Sequence, residues 1–434
     1  MRGWNLFETP VNGAFLILWL LLSGCSNEVV VKDNFDGVVH VGLLHSRTGT
    51  LAVSENTVAE AELMAIYEIN HAGGLRVGDK RLQVIPIEED GQSRPDIFAK
   101  RLERLIVRDQ VAVVFGGWTS ASRKAMLPVV EAHDHLLFYP IQYEGEECSK
   151  NIFYAGATPN QQAEPAIKWL HEQYGGPFFL AGSDYVYPRT ANRIIKYQLN
   201  AIGGQLAGEA YVALGEMHLQ PMIEAIRRSL PDGGIIVNTI NGDSNVAFFR
   251  GLHDAGLTAE GGYKVMSFSI AEEEISAVGA QYLQGSYATW SFFQSLETPR
   301  SREFTERFKA LHGVHRVTND PGVSGYEMVL LWAAAVSKAN SVDPVLVRDA
   351  LPGVRLETPE GQIVVHANHH LNKRVLIGEV GQDGQFKIVF DGGHVEPEPW
   401  SQWLPDNVGY ICDWTMARPD AGRFVPAEEA VLGS

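Results

Sequence analysis

The feature that most constrains this chain is an alternation of short β-rich runs with amphipathic helical stretches, which starts near Val39, breaks, and starts again. The first series predicts strands at 39–44, 81–87, 111–115 and 136–139, with helices at 59–71, 96–107 and 120–132 between them. The second predicts helices at 165–173, 190–201, 219–229 and 245–255, alternating with strands at 178–182, 208–212, 234–238 and 264–268. A long helix at 325–339 follows, and then strand-like pieces at 362–365, 375–379 and 385–389. Strands separated by helices pair in parallel with helices on both faces. Two such series in 434 residues predict an α/β chain of two doubly wound, Rossmann-like lobes. Ligands of such sheets sit beyond the carboxyl ends of the strands, so two facing lobes make a cleft there.

The N-terminus reads separately. Arg2 precedes the apolar run 14–22, and Leu22-Ser23-Gly24-Cys25 follows. The run is too short to span a membrane, which takes roughly 20 residues, and has the basic start and apolar middle of a secretory signal. Its end resembles the bacterial lipobox, which implies acylation of Cys25. The expected organisation is a signal peptide over 1–24 and a lipid-anchored tether over 25–37. Residues 38–155 with 288–350 form the first lobe, 156–287 with 351–395 the second, and 396–434 a C-terminal extension. Formal charge is −17, and a surface so acidic excludes a nucleic-acid partner. Beyond Cys25 only Cys148 and Cys412 remain. Two thiols are no disulfide framework, and both pairing and free burial stay open.

Four strand-end loops hold the candidate chemistry. Gly116-Gly117-Trp118-Thr119-Ser120 places an aromatic ring and hydroxyls at a helix N-terminus, where free N–H groups favour an oxygen acceptor. The others are Tyr139-Pro140-Ile141-Gln142-Tyr143-Glu144-Gly145, Gly182-Ser183-Asp184-Tyr185-Val186-Tyr187-Pro188-Arg189 and Asn238-Thr239-Ile240-Asn241-Gly242-Asp243-Ser244-Asn245. Singly these are ordinary caps and turns; together they fall on one side of their sheets.

The same loops, with Ala157-Thr158-Pro159-Asn160-Gln161-Gln162 and Met266-Ser267-Phe268-Ser269-Ile270-Ala271-Glu272-Glu273-Glu274, resemble the urea-binding subunits of ATP-driven importers over about residues 39–389. More loosely they resemble amide sensors, whose tail is similar to Pro397-Glu398-Pro399-Trp400. The resemblance implies a type I periplasmic-binding fold with three crossing strands, no catalytic activity and no cofactor. The implied ligand is urea or a short-chain amide, and the implied partner an ABC permease; contact with the membrane is through the N-terminal lipid alone. It implies a site of Trp118, Ser120, Tyr139 and Tyr185, with Gln142, Asn241 and Asp243 around it. In that site the Ser120 hydroxyl bonds the ligand carbonyl, Gln142 or Asp243 accepts from its amide hydrogens, and Trp118, Tyr139 and Tyr185 wall its plane. The sequence departs from the urea group at 319–325 and has Cys148 where serine is usual.

A branched-chain amino-acid ligand, or a sensor that holds a regulatory partner, keeps the same fold. A serine hydrolase reading of Gly242-Asp243-Ser244 lacks a histidine partner. His366, His369 and His370 lack acidic or Cys partners at ligand spacing, so no metal is expected and a surface turn is. The run Glu272-Glu273-Glu274 reads as a helix first turn, where carboxylates are stabilised.

Overall fold

The computed structural model describes residues 35–407, 410–415 and 425–426. The expected signal peptide, Cys25 and most of the tether lie outside the described residues.

The first series becomes a sheet flanked by helices. It runs β1 (Gly37–His45), α1 (Ala52–His71), β2 (Leu75–Val77), β3 (Lys80–Asp90), α2 (Pro95–Val107), β4 (Val114–Gly116), α3 (Ser120–Ala132), β5 (Leu137–Tyr139) and β6 (Ile152–Tyr154). Strand order is β2-β3-β1-β4-β5-β6. All pairings are parallel except the β2–β3 hairpin.

The second series gives α4 (Ala163–Tyr174), β7 (Pro177–Ser183), α5 (Val186–Ile202), β8 (Gln205–Val212), α6 (Gln220–Ser229), β9 (Gly234–Thr239) and α7 (Ser244–Asp254). It continues with β10 (Tyr263–Ser267), α8 (Glu272–Val278), α9 (Ala280–Leu283) and β11 (Tyr287–Trp290). Then come α10 (Pro299–His312), α11 (Asp320–Ala339), α12 (Pro344–Ala350), the hairpin β12 (Arg355–Thr358) and β13 (Gly361–Val364), β14 (Lys373–Val380) and β15 (Phe386–Val395). The second sheet has the order β15-β14-β11-β10-β9-β7-β8, with β14 antiparallel to both neighbours.

Omitting the hairpin strand β2 and the antiparallel edge, each sheet reads second-first-third-fourth-fifth in chain order. That order places a topological switch point between β1 and β4 in one lobe and between β7 and β9 in the other. The chain crosses between sheets after β6, after β11 and before β14. β11 pairs with β10 and β14, so the chain leaves the second lobe only after Trp290.

The crossings are fixed by buried acids. Asp320, at the start of α11, accepts from the backbone N–H of Ser291 (2.8 Å) and Phe292 (3.0 Å), and Glu272 from that of Gln294 (2.7 Å). Lys373, where β14 begins, is wholly buried and donates to Glu360 at 3.0 Å and Ser324 at 3.1 Å.

α1 begins seven residues earlier than its sequence pattern suggests. Ser54, Glu55, Thr57 and Glu62 are buried in it, so its polar residues face other protein groups and the water-facing stripe that marks a surface helix is missing. Gly116 has φ +135°, and a Cβ there would stand 2.0 Å from the Leu44 carbonyl oxygen; glycine lets β4 close against β1, where Gly117 N–H donates to that oxygen at 2.9 Å.

Among the described residues, Cys148 and Cys412 are joined in a disulfide, which resolves the alternative the sequence left open. The segment 396–407 passes over both lobes. Glu146 N–H donates to the Pro399 carbonyl (2.8 Å), Ser401 to Glu164 (2.7 Å), and Arg193 pairs with Asp406 (3.2 Å).

The surface-turn expectation fails for two of its three histidines. His369 and His370 are buried, stacked on Phe153 (4.2 Å) and Tyr154 (4.3 Å). Burial pulls both imidazoles down to about 3, so they are neutral core side chains rather than a surface turn. Among the described residues no cluster suited to a metal ion occurs. Glu272–Glu274 do open α8, as expected.

Candidate functional site

The loops at the carboxyl ends of β4, β5, β7, β9 and β10 meet between the lobes. From the first lobe, Thr119 caps α3 by accepting from Ser122 N–H at 3.0 Å, which fixes Trp118 and Ser120 on either side of the cap. The Trp118 indole N–H crosses to Asn241 Oδ1 at 3.3 Å. The Tyr139 hydroxyl donates to the Trp118 carbonyl, so the two aromatic walls are tied together.

Beneath them lies an ionic cluster that the sequence did not reveal. Arg123, wholly buried, donates through Nε to Glu147 at 2.7 Å, through one terminal nitrogen to Glu144 at 3.0 Å and through the other to Ser120 Oγ at 3.0 Å. Its guanidinium lies 4.5 Å from the Tyr143 ring centre and 5.0 Å from that of Tyr139. Lys124 reaches Glu147 at 3.1 Å, so two cations balance two carboxylates. Burial alone would push the Glu147 carboxyl up, but Arg123 and Lys124 outweigh it and hold the group at about 2. Ser120 donates to Glu144. With its only hydrogen committed, Ser120 is not free to donate to a ligand carbonyl, the role the resemblance gave it.

From the second lobe come Tyr185 and Tyr187, whose ring centres are 6.4 Å apart. Tyr187 is buried while Tyr185 keeps some accessible surface. Surrounding protein and the neighbouring Tyr139, Tyr187 and Glu144 raise the Tyr185 phenol well above its usual range, so it stays a neutral donor. Asn241 is held by its own N–H to Ser183 Oγ (3.1 Å). Asp243 stands apart: its side chain is exposed, and its backbone N–H binds the Thr50 carbonyl and hydroxyl, each at 3.2 Å. Its part in the arrangement is a rim contact between lobes.

Gln142 spans the two lobes. Its Nε2 donates to the Phe268 carbonyl (2.6 Å) and to Ser269 Oγ (3.1 Å), while its Oε1 is buried without a hydrogen-bond partner. Thus Trp118, Ser120, Tyr139, Gln142, Tyr185 and Asn241 come together, and Arg123, Glu144 and Tyr187 join them. Tyr187 lies in the first turn of α5, two residues after the N-cap Tyr185.

Farther along the same interface, Ser54 of α1 donates to Glu274 of α8 (2.5 Å), and Arg316 joins Glu60 (2.6 Å) to Glu273 (2.9 Å). At the end of β1, His45 bonds Glu62 at 2.9 Å. Burial lowers its pKa, but Glu62 and Glu55 prevail and raise it to about 9. Protonated His45 contributes stability fully below about 6.5, and that contribution is lost as pH rises through 9; on the other side of the pair, burial outweighs His45 and raises the Glu62 carboxyl.

Glu274 gives a sharper expectation. Burial between the lobes raises its carboxyl from 4.5 to about 7. A raised acid favours the closed state while protonated, and the advantage declines as pH rises from the open-state value through the closed-state one. Ligand affinity is therefore expected to fall between about pH 5 and 7, by at most about tenfold per unit, and to flatten above. Calorimetric titration across that range checks it, and Glu274→Gln removes the slope.

Two lobes with facing loops, aromatic walls and bonds that cross the cleft define a ligand-closing clamp. The chain belongs to the periplasmic binding protein domain family, whose profile matches residues 39–406. Members are the solute-binding components of ABC transporters; they are not enzymes, and they work outside the cytoplasm with a small-molecule ligand and a permease. A leucine-, isoleucine-, valine-, threonine- and alanine-binding protein of Pseudomonas aeruginosa is 23% identical over 344 residues, covering 75% of this chain and 85% of that one. A limonene hydroxylase of Geobacillus stearothermophilus is 32% identical over 113 residues, 26% of this chain. The match spans 21% of that protein's length. A solute-binding protein from Rhodopseudomonas palustris, solved with p-hydroxybenzoic acid, superposes with a TM-score of 0.73 at 20% identity, covering 84% of this chain and 99% of that one. Among the described residues no helix is long and apolar enough to cross a membrane.

Proposed function

We propose that this protein captures urea or a short-chain amide between its lobes and delivers it to an ABC permease, anchored to the membrane through lipid on Cys25. The observation that carries the ligand class is the charge balance of the cleft. Arg123 is buried between Glu144 and Glu147, so it has no charge left over for a ligand carboxylate, while Gln142 Oε1 offers an unused acceptor. A small, neutral, N–H-rich molecule suits that combination. An amino acid or a hydroxybenzoate, the ligands of the relatives, introduces a carboxylate that needs an uncompensated donor or cation. Trp118, Tyr139 and Tyr185 enclose the planar ligand, and Gln142 and Asn241 supply its polar contacts.

Selectivity then comes from pairing, since an analogue without the N–H leaves a buried acceptor unsatisfied. The test is a thermal titration of residues 26–434 against urea, acetamide, leucine and 4-hydroxybenzoate at millimolar concentrations. A ligand at 100 times its dissociation constant stabilises the protein by about 2.7 kcal/mol. A shift with urea or acetamide and none with the two carboxylates is expected; a shift with leucine or 4-hydroxybenzoate alone discards the amide reading.

A further inference from the structure

Gln142 uses the two ends of one side-chain amide differently. Its backbone is set by the first crossing segment. Tyr143 N–H donates to the Ala157 carbonyl at 3.1 Å, and a Cβ at Gly156 would meet the Gln142 nitrogen at 2.3 Å, so only glycine lets the two segments approach this closely. The side chain's orientation in the closed form is chemically fixed: the Phe268 carbonyl can only accept, so the atom 2.6 Å from it is the nitrogen. The same nitrogen reaches Ser269 Oγ at 3.1 Å, and the Tyr187 hydroxyl borders both Gln142 and Ser269. Oε1, the other end of the same planar amide, is buried and unpaired. Buried acceptors are rarely left so, and the cost of leaving one unpaired falls on the closed state alone, because opening exposes the group to water.

We propose that Gln142 is a ligand-gated latch. Resting on the amide-ligand reading, a ligand N–H donates to Oε1, which removes the penalty of burying it. The nitrogen of the same group is then held toward Phe268 and Ser269, pulling the second lobe onto the first. Ligand recognition and lobe closure are thus coupled through one planar group. The coupling makes an N–H donor, rather than size or a carbonyl, the requirement for closure. Acetamide meets it; N,N-dimethylacetamide, with the same carbonyl and no N–H, does not. Gln142 is a positioning residue in this scheme as well as a contact, since its nitrogen never meets the ligand.

The experiment combines small-angle scattering, which reads closure as a smaller radius of gyration, with calorimetric titration. It uses wild type, Gln142→Leu and Gln142→Glu, each first shown to melt cooperatively. Wild type is expected to contract with acetamide but not with N,N-dimethylacetamide. Gln142→Leu is expected to lose at least tenfold in acetamide affinity and to stop contracting. Gln142→Glu keeps an acceptor for the ligand but turns an oxygen toward the Phe268 carbonyl, so it is expected to bind without contracting fully. Equal contraction of wild type with both amides, or unchanged affinity and contraction in Gln142→Leu, overturns the latch. Should wild type bind no N–H-bearing probe, the ligand class fails separately. The latch is then judged without ligand: a larger radius for Gln142→Glu than for wild type supports it, and an equal radius overturns it.

Discussion

Replacing Arg123 with methionine is expected to abolish ligand binding and lower the unfolding free energy by about 3–5 kcal/mol, the range for removing one partner of a buried ion pair. The size follows from what is left behind. Glu144 and Glu147 lose their bonds of 3.0 and 2.7 Å to the guanidinium, and Ser120 loses its donor. Lys124, partly exposed, still reaches Glu147, so Glu144 bears most of the loss. A lysine in place of Arg123 supplies one point charge where three differently directed N–H groups are used, and it is expected to recover only part of the stability. Denaturant unfolding of Arg123→Met beside the triple variant Arg123→Met, Glu144→Gln, Glu147→Gln separates the causes. The triple variant, which buries no unpaired charge, is expected to regain much of the loss in stability while still failing to bind. A loss below about 1 kcal/mol in the single variant would show that the cluster behaves as a solvated surface pair.

The second large effect belongs to the disulfide. Cys148 and Cys412 are separated by 264 residues, so the bond closes a loop that takes in the whole second sheet and, of the first sheet, β6 alone. Removing a native disulfide typically costs about 2–5 kcal/mol, with long loops toward the upper end in the chain-entropy account. The Cys148→Ser, Cys412→Ser double variant is expected to melt well below the oxidised wild type. Dithiothreitol is expected to bring wild type down to the same temperature while leaving the variant unmoved. Equal melting of wild type with and without reductant would refute the stabilising role.

The fold was legible in the sequence because its signals are local. α3 starts at Ser120 and ends at Ala132 as its pattern suggests, since a threonine cap and two glycines mark its start in the chain itself. The short strands β6 and β11 carry no such signal; each is a few residues long and becomes a strand only through its neighbours. In the site, the aromatic walls could be named because their loops follow strands. The Arg123 cluster could not, because its members stand 21 and 24 residues apart and a charged residue in a helix ordinarily reads as solvated. His369 and His370 misled for the converse reason, since what makes them core residues is the stacking of Phe153 and Tyr154, far away in the chain.

The bond from Cys148 to Cys412 also sets an order of events in the life of the molecule. Cys412 is synthesised 264 residues after its partner, and the family works outside the cytoplasm, where thiols oxidise. The segment over both lobes can be fastened only once Cys412 has been translocated, when nearly all of the two lobes is already across. A copy held in a reducing compartment lacks this fastening, so the clamp is completed only where thiols oxidise.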